Sequence, residues 1–277
     1  MEYLQSAEAL IDLALEEDLG SGDITTDSVV SSRKQARAYF LSKSTGRIAG
    51  LKVAEIVFRK LDPHLKWYPK ISEGSRVDAE ATIVEFEGSY KALLSGERTA
   101  LNFLQRMSGI ATLTSEYVSA VESTKAKILD TRKTIPGFRA LDKYAVKMGG
   151  GINHRMGLYD LVMIKDNHIK IAGGITNAVK AIKLKNKNQL KIEVETKTIR
   201  EVEEAIKAKV DIIMLDNMSI DKMIEAVDLI DKRAAVEASG SINLDNVRQI
   251  AQTGVDFISI GALTHSVHAF DISQYIL

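Results

Sequence analysis

The chain has 277 residues, and its 37 lysines and arginines balance 37 aspartates and glutamates, so the formal net charge is zero. Hydrophobic residues make up 45% of the sequence, which is typical of a globular protein with a sizeable core. Zero net charge and only 6% aromatic residues argue against a nucleic-acid-binding protein. The absence of cysteine excludes disulfides, thiolate metal sites and a cysteine nucleophile.

The N-terminal segment is acidic and amphipathic, and it has the pattern of neither a signal peptide nor a transit peptide. No apolar run approaches the roughly 20 residues that a membrane helix needs. We therefore expect a cytoplasmic enzyme.

Residues 1–108 predict a small α+β, sandwich-like domain. A helix over roughly Ser6–Glu17 is followed by a turn-rich stretch and by short alternating segments that are typical of antiparallel strands. A long helix from about Ser95 to Val121, with Ser95 as its N-cap, then leads into the second domain.

Residues 109–277 predict a (β/α) barrel. From about residue 126 the chain repeats a short apolar run followed by an amphipathic helix, which indicates a parallel sheet covered by helices. Six such units favour a closed barrel over an open doubly wound sheet, and the last residues could return to the first domain. The apolar runs are Lys127–Leu129, Leu161–Ile164, Leu190–Val194, Asp211–Leu215, Ala234–Val236 and Phe257–Ile260.

The segment from Asp130 to His168 and its flanks form a cationic stretch on a neutral chain, which predicts a site for a multiply charged anion. Its basic residues are Lys125, Lys127, Arg132, Lys133, Arg139, Lys143, Lys147, Arg155, Lys165 and Lys170. Arginine suits bidentate recognition of carboxylate or phosphate, so Arg132, Arg155 and Lys165 indicate a substrate with at least two carboxylates alongside phosphates. The alternative is a solvated basic face.

Polar residues follow each predicted barrel strand, where active sites of this fold class lie. Glu195 and Asp216 are hard oxygen ligands that suit Mg²⁺. Glu193 shares the strand face of Glu195 and is expected to be a buried supporting residue, unless both serve only interior polar packing. Ser239-Gly240-Ser241 and Ile260-Gly261-Ala262, each before a predicted helix, could offer backbone N–H groups to a phosphate, or could be plain turns.

Two further residues leave a functional and a structural interpretation open. Arg98 lies in the first turn of the long helix, where the helix dipole disfavours a cation by about 0.3–1 kcal/mol, so it either has a function or pairs with Glu97 or Asp27. His154 is either functional, as a proton carrier or a hydrogen-bond donor to a carboxylate, or a structural histidine. The glycines at 149–151 predict a mobile or tightly turned connection.

Seven segments together resemble the quinolinate phosphoribosyltransferase family over nearly the whole chain and in the family's order. They are EDLGSGDITT, SGERTALNFLQRMSGIAT, the stretch from Asp130 to His168, IEVET, IMLDN, EASGSI and GVDFISIGALTHS. The resemblance implies a type II phosphoribosyltransferase with an N-terminal α/β domain, an open (β/α) barrel and a head-to-tail homodimer, with a hexamer left open. It also implies the conversion of quinolinate and phosphoribosyl pyrophosphate (PRPP) to nicotinate mononucleotide, pyrophosphate and CO₂ with Mg²⁺, in NAD synthesis.

The resemblance also implies the roles of individual residues. Lys133, Lys165, Glu195 and Asp216 are the expected catalytic residues, and Glu195 and Asp216 the expected Mg²⁺ ligands. The quinolinate site would comprise Arg98 from the neighbouring subunit with Thr131, Arg132, Lys133, His154, Arg155 and Lys165. The PRPP site would comprise Lys133, Lys165, Asp166, Asn167, Glu195, Asp216, Ser239, Gly240, Ser241, Ile260, Gly261 and Ala262.

Ser241 departs from the family's pattern, because a second glycine is common at this position, and it puts the geometry of the phosphate loop in question. Two other functions stay open at this point. One is a relative associated with molybdenum-transport operons that shares the fold and acts on a different acid. The other is a Schiff-base aldolase, since Lys133 and Lys165 follow barrel strands.

Overall fold

The computed structural model describes residues 2–277, which divide into two compact units. One unit holds the chain up to Ser115 together with Thr134–Gly150 and Leu263–Leu277, and the other holds Glu116–Lys133 and Gly151–Ala262. We call them the mixed unit and the parallel-sheet unit. No helix within the described residues has the length and apolar character needed to cross a membrane.

The mixed unit is built on an antiparallel sheet in the order β12-β1-β5-β3. Its strands are β1 (Gln35–Ser42), β2 (Gly46–Arg47), β3 (Lys66–Pro69), β4 (Arg76–Val77), β5 (Thr82–Ser89) and β12 (Ile272–Ile276). Its helices are α1 (Glu2–Leu19), α2 (Ile24–Val29), α3 (Leu51–Leu61), α4 (Tyr90–Ser95), α5 (Glu97–Val121, which runs on past the boundary of the unit) and α6 (Arg139–Met148).

An aromatic cluster forms the core between this sheet and α3. The ring of Phe86 lies 5.0 Å from the rings of Phe40 and Phe58 and 5.1 Å from that of Trp67. Phe40, Phe58 and Phe86 are fully or almost fully buried, and aromatic side chains of this size contribute most to core stability. The apolar face of α3 supplies Phe58, which explains why that helix packs here.

The parallel-sheet unit contains a six-stranded parallel sheet in the order β6-β11-β10-β9-β8-β7. The strands are β6 (Lys127–Leu129), β7 (Val162–Ile164), β8 (Ile192–Thr196), β9 (Ile212–Asp216), β10 (Ala235–Ser239) and β11 (Phe257–Ser259). Its helices are α7 (Asp166–Ala172), α8 (Ile175–Lys185), α9 (Ile199–Ala208), α10 (Ile220–Ile230) and α11 (Val247–Gln252), and α12 (Ala262–His265) spans the boundary of the units.

The strand order is that of an α/β barrel. Strands β7 to β11 are neighbours in chain order, and β6, which precedes them all in the chain, lies beside β11. On its other side, Leu129 of β6 forms an isolated parallel bridge with Ile152. Since this bridge is a single residue pair and not a strand, the barrel is open, which corrects the closed ring that the periodicity favoured.

The predicted N-cap of the long helix is wrong, and the cationic stretch belongs to both units. Ser95 is not the N-cap of the long helix, because it ends α4 and its hydroxyl donates to Asp23 Oδ2 at 3.0 Å, so that Gly96 separates α4 from α5. The cationic stretch is divided between the two units, because Thr134–Gly150 belongs to the mixed unit, where Lys143 is only 1% exposed.

The glycines before the parallel-sheet unit form a tight connection for a steric reason. Gly149 ends α6, and a Cβ at this position would lie 2.5 Å from the carbonyl oxygen of Ala111. Gly150 follows with a φ of 91°, a conformation that favours glycine.

Candidate active site

The interior face of the parallel sheet carries polar side chains in register. Glu195 on β8 is paired with Met214 on β9, and Met214 with Glu237 on β10. One layer nearer the carboxyl ends of the strands, Asp216 is paired with Ser239. Because residues in register on neighbouring strands share a face, and side chains alternate along a strand, these groups point to the same side of the sheet.

A lysine and a carboxylate form the centre of the candidate site. Lys165, the residue after β7, places its Nζ 2.7 Å from Glu195 Oε2. The Lys165 side chain stays 45% exposed while that of Glu195 is 11% exposed, so the cation still reaches solvent. This contact joins two residues that the sequence placed on different strand ends.

Asp216 lies close to this pair. Burial and the nearby charge of Glu195 raise the pKa of the Asp216 carboxyl, and Lys197 and Lys165 partly oppose that shift. The repulsion between Glu195 and Asp216 marks a place where a cation would be bound favourably.

Two arginines, Arg132 and Arg155, lie near one another. Burial lowers the pKa of Arg155, and the neighbouring charge of Arg132 lowers it further. Arg155 also donates from Nη1 to the carbonyl oxygen of Leu161 at 3.2 Å, which fixes one nitrogen of its guanidinium group. Thr131 accepts the Lys133 backbone N–H at 3.0 Å and so shapes the turn that carries Arg132.

His154 contacts two buried carboxylates. Its Nε2 lies 3.1 Å from Glu193 Oε2 and 3.4 Å from Glu237 Oε2. The three side chains offer metal-ligand atoms that all lie within 4.8 Å of one another. Burial would lower the pKa of His154, but the adjacent Glu193 and Glu237 carboxylates outweigh burial and raise the pKa above its usual range. The Arg155 backbone N–H, which donates to Nδ1 at 2.7 Å, opposes a second ring proton because an imidazolium has no acceptor.

Burial raises the pKa of Glu193, which is 0% exposed and matches the predicted buried supporting residue on the face of Glu195. The sequence analysis did not select Glu237 as a site residue, although a glutamate inside an apolar strand was a visible signal. It also missed Asp130, which accepts the backbone N–H of His154 at 2.9 Å and the side chain of Asn153.

The loop after β10 is built on Asn217. Ser241 donates from its hydroxyl to Asn217 Oδ1 at 3.1 Å, and Asn217 donates from Nδ2 to Asp216 Oδ1 at 2.9 Å. Gly240 has a φ of 95°, and a Cβ there would lie 2.4 Å from the Asn217 amide. Ser241 has a φ of 54°, which gives a physical reason for the glycine that is common at this position.

The predicted phosphate-binding backbone is only partly placed as expected. After Ser241 the next helix, α11, does not begin until Val247, so the loop is not a helix N-terminus. The Ile260 N–H already donates to the carbonyl oxygen of Leu129 at 3.0 Å. Gly261 is half-buried directly before Ala262, where α12 begins.

The remaining predicted residues lie at the start of α7 and on α5. Asp166 accepts the backbone N–H of Asn167 at 2.7 Å and lies 3.4 Å from Lys197 Nζ, and both contacts lower its pKa. Arg98 is exposed in the first turn of α5. Burial raises the pKa of the neighbouring Glu97, and the charge of Arg98 only partly opposes that shift. Asp27, the other suggested partner of Arg98, lies 2.5 Å from Lys91.

Comparison with known proteins gives one consistent result over both units. Residues 23–108 match the family model of the quinolinate phosphoribosyl transferase N-terminal domain, and residues 110–274 match that of the C-terminal domain. A quinolinate phosphoribosyltransferase (decarboxylating) of Nicotiana tabacum is 46% identical over 95% of this chain and 80% of its own length.

A probable nicotinate-nucleotide pyrophosphorylase (carboxylating) of Synechocystis is 45% identical over 95% of this chain and 90% of its own. The solved structure of the nicotinate-nucleotide pyrophosphorylase from Francisella tularensis is similar with a TM-score of 0.94 and 41% identity. That likeness covers 99% of this chain and 96% of the other.

Proposed function

The chain belongs to the quinolinate phosphoribosyltransferase family, and we propose that its parallel-sheet unit carries the chemistry of that family's reaction. The reaction transfers the phosphoribosyl group of PRPP to quinolinate with loss of CO₂, and gives nicotinate mononucleotide and pyrophosphate in NAD biosynthesis. The contact between Lys165 and Glu195, close to Asp216, is the observation that supports the proposed site most directly. It places a cation that can bind an acid substrate next to carboxylates that can stabilise a positive charge developing on the ribosyl carbon.

Arg132, Arg155 and Lys165 would bind the two carboxylates of quinolinate. The like-charge repulsion between Arg132 and Arg155 is relieved when an anion lies between them, and two adjacent cations favour a diacid over a monoacid. Thr131, Lys133 and His154 complete this side of the site in our proposal.

The carboxylates of Glu195 and Asp216 fit a magnesium ion. Both are oxygen donors on adjacent strands, and their mutual repulsion is what a divalent cation would offset. When bound, Mg²⁺ would neutralise charge on the pyrophosphate as it leaves. Asp166, Asn167 and Lys133 would contact the same substrate.

The terminal phosphate of PRPP would bind between the loops after β10 and β11. Gly240 and Gly261 allow close approach of a ligand to the backbone, and Ser239, Ser241 and Ala262 flank them. The Ile260 N–H already donates to the carbonyl oxygen of Leu129, so Ile260 would shape the second loop by its position and not through its N–H.

The mechanism we propose uses these residues for positioning and charge stabilisation. As pyrophosphate leaves, Glu195 and Asp216 offset the positive charge that develops on the ribosyl carbon, and the pyridine nitrogen of quinolinate attacks that carbon. The ring is then cationic, so the carbon that loses CO₂ can hold the electron pair until it is protonated. Lys165 and the arginines hold the carboxylate that stays in the product, and the proton that replaces CO₂ on the ring carbon comes from solvent.

We further propose a homodimer in which Arg98 of one subunit completes the quinolinate site of the other, with assembly into a hexamer left open. The exposure of Arg98 in the first turn of α5, where the helix dipole disfavours it, supports a function outside its own helix. A cytoplasmic location is likewise our proposal, which the absence of cysteine supports. The relatives from Nicotiana tabacum and Arabidopsis thaliana include proteins named mitochondrial and chloroplastic.

The test is an assay of the purified protein with quinolinate, PRPP and Mg²⁺ that follows nicotinate mononucleotide and CO₂, with nicotinate as a parallel substrate. Product is expected with quinolinate and not with nicotinate. Silence with quinolinate would contradict the assignment and favour a relative that acts on a different acid.

A further inference from the structure

The His154, Glu193 and Glu237 cluster is the most unusual polar group in the parallel-sheet unit. Glu193 and Glu237 are 0% and 1% exposed, and the side chain of His154 is 8% exposed. Both oxygens of Glu193 and Oε1 of Glu237 have no hydrogen bond of good geometry. Two buried carboxylates on strands separated only by β9 are a costly arrangement.

Fold stability does not account for this cost. The residues of β9 in register with the two glutamates are apolar, Ile212 for Glu193 and Met214 for Glu237. Well-packed hydrophobic residues in place of buried charges are often neutral or stabilising. The presence of both glutamates in the sheet therefore points to a function.

The orientation of the imidazole distinguishes a positioning role from a metal site. Nδ1 accepts the Arg155 backbone N–H at 2.7 Å, so it carries no proton in this geometry. The ring proton is then on Nε2, which faces both carboxylates. A metal on Nε2 would move the proton to Nδ1, where it would face the Arg155 N–H.

Hydrogen bonds of the His154 and Arg155 backbone connect the cluster to the proposed substrate site. The His154 N–H donates to Asp130 Oδ1 at 2.9 Å, and the Arg155 N–H donates to the His154 ring. If the ring turns, the Arg155 N–H loses its acceptor. The backbone that carries the guanidinium is then no longer fixed.

We propose that Glu193 and Glu237 are positioning residues that hold the His154 ring through Nε2 and, through its Nδ1, fix Arg155 for binding of the dicarboxylic acid substrate. This inference rests on the proposed function. It assigns the two glutamates to quinolinate binding and not to PRPP binding, because the His154 ring that both of them face accepts the backbone N–H of Arg155.

The test compares Glu193→Leu, Glu237→Leu and the double variant Glu193→Gln/Glu237→Gln with a matched control, Thr196→Val. Thr196 is buried on the opposite face of β8, where its hydroxyl donates to the Met214 carbonyl oxygen. KM for each substrate, kcat and the melting temperature are measured. The leucine variants are expected to raise the KM for quinolinate about tenfold or more, as loss of outer supporting residues does elsewhere.

In the leucine variants the KM for PRPP should be unchanged. Their melting temperature should be unchanged or higher. The double glutamine variant keeps an acceptor oxygen at both positions but loses both charges, so its KM for quinolinate should be intermediate. The Thr196→Val protein should match the wild type in both KM values.

An unchanged KM for quinolinate in folded leucine variants overturns the inference, and if those variants do not fold, an unchanged value in the double glutamine variant does so. A stoichiometric transition metal that survives dialysis of the wild type and is lost in the variants, measured by mass spectrometry, also overturns it. A wild type inactive with quinolinate and PRPP contradicts the proposed function, whereas an active wild type with unaltered variants contradicts this inference alone.

Discussion

Lys165 lies beside Glu195 with its ammonium group still reachable from solvent, which suits a residue that binds a substrate anion. Lys165→Met is expected to lower kcat/KM about 10²–10³-fold, the usual effect of losing one preorganised group that stabilises charge in the transition state. Steady-state kinetics with quinolinate and PRPP measure it. Lys170→Met, an exposed change on the same helix α7, is the control, and equal activity of the two variants would refute the role of Lys165.

Gly240 is required for two separable reasons, its positive φ and its contact with Asn217. Gly240→Ala should raise the KM for PRPP and lower the free energy of unfolding by more than the roughly 1–2 kcal/mol of a left-handed alanine. Gly173→Ala isolates the backbone cost, because Gly173 has a φ of 76° and its Cβ would make only an ordinary contact at 3.6 Å. Equal losses in both proteins, measured by denaturant unfolding, would show that Asn217 does not constrain the loop.

The raised pKa of Asp216 has a consequence for magnesium binding. A carboxylate must be ionised to bind the metal, so affinity falls as the pH decreases toward the pKa of that group, which here lies above the ordinary value of about 3.9. The half-saturating Mg²⁺ concentration should therefore rise between about pH 7 and about pH 5. Asp216→Asn should flatten that rise, and an identical pH dependence in both proteins would count against Asp216 as a ligand.

Between elements, a buried ion pair joins α5 to α6 in the mixed unit. Arg106 donates from Nε and Nη2 to the two oxygens of Asp142 at 3.0 and 2.8 Å, and Asp142 is fully buried. Arg106→Met is expected to destabilise the protein by about 3–5 kcal/mol, because it leaves a buried carboxylate without its cation. Chemical unfolding measures this loss.

A second change provides the control for that pair. Arg106→Met combined with Asp142→Leu removes both charges, so it should regain most of the lost stability. If the double variant is as unstable as the single one, packing and not charge explains the effect.

The sequence predicted the type and order of the parallel strands well but ended three of them too early. The predicted strands stop at Val194, Leu215 and Val236, whereas β8, β9 and β10 continue to Thr196, Asp216 and Ser239. Hydrophobicity marks the end of apolar side chains, while the backbone ladder continues through polar ones. Glu195, Asp216 and Ser239, which belong to the proposed site, therefore lie in strands but outside the ranges that hydrophobicity predicts.

Contacts across the sheet were less accessible to prediction. Glu193 and Glu195 could be placed on one face from their spacing alone. That His154 would reach Glu193 and Glu237 depends on the strand order and on a turn held by Asp130, neither of which a linear pattern specifies.

At the scale of the whole molecule, the proposed shared site makes a quantitative prediction. Mixing Arg98→Ala and Lys165→Ala subunits gives heterodimers in which one site carries both changes and the other carries none. Random reassortment of equal amounts should restore about a quarter of the wild-type activity, since half of the dimers have one intact site.

The assay is made after co-refolding or co-expression of the two chains, with each single variant alone as the control. Activity no greater than the sum of the controls, in a sample where mass spectrometry finds heterodimers, would place Arg98 in the site of its own subunit or outside the site.

The pairing of β12 with β1 bears on how the chain folds during synthesis. Ala38 to Ser42 are paired with Ile272 to Ile276, so the sheet of the mixed unit is completed by residues that follow the entire parallel-sheet unit in the chain. On the ribosome, one edge of β1 therefore stays without its strand until almost all of the described chain has emerged. An unpaired edge of this kind can recruit another nascent chain, and a sheet closed by such distant residues forms slowly. The strands of the parallel-sheet unit are all synthesised before β12. That unit can therefore fold first, and the mixed unit is completed last.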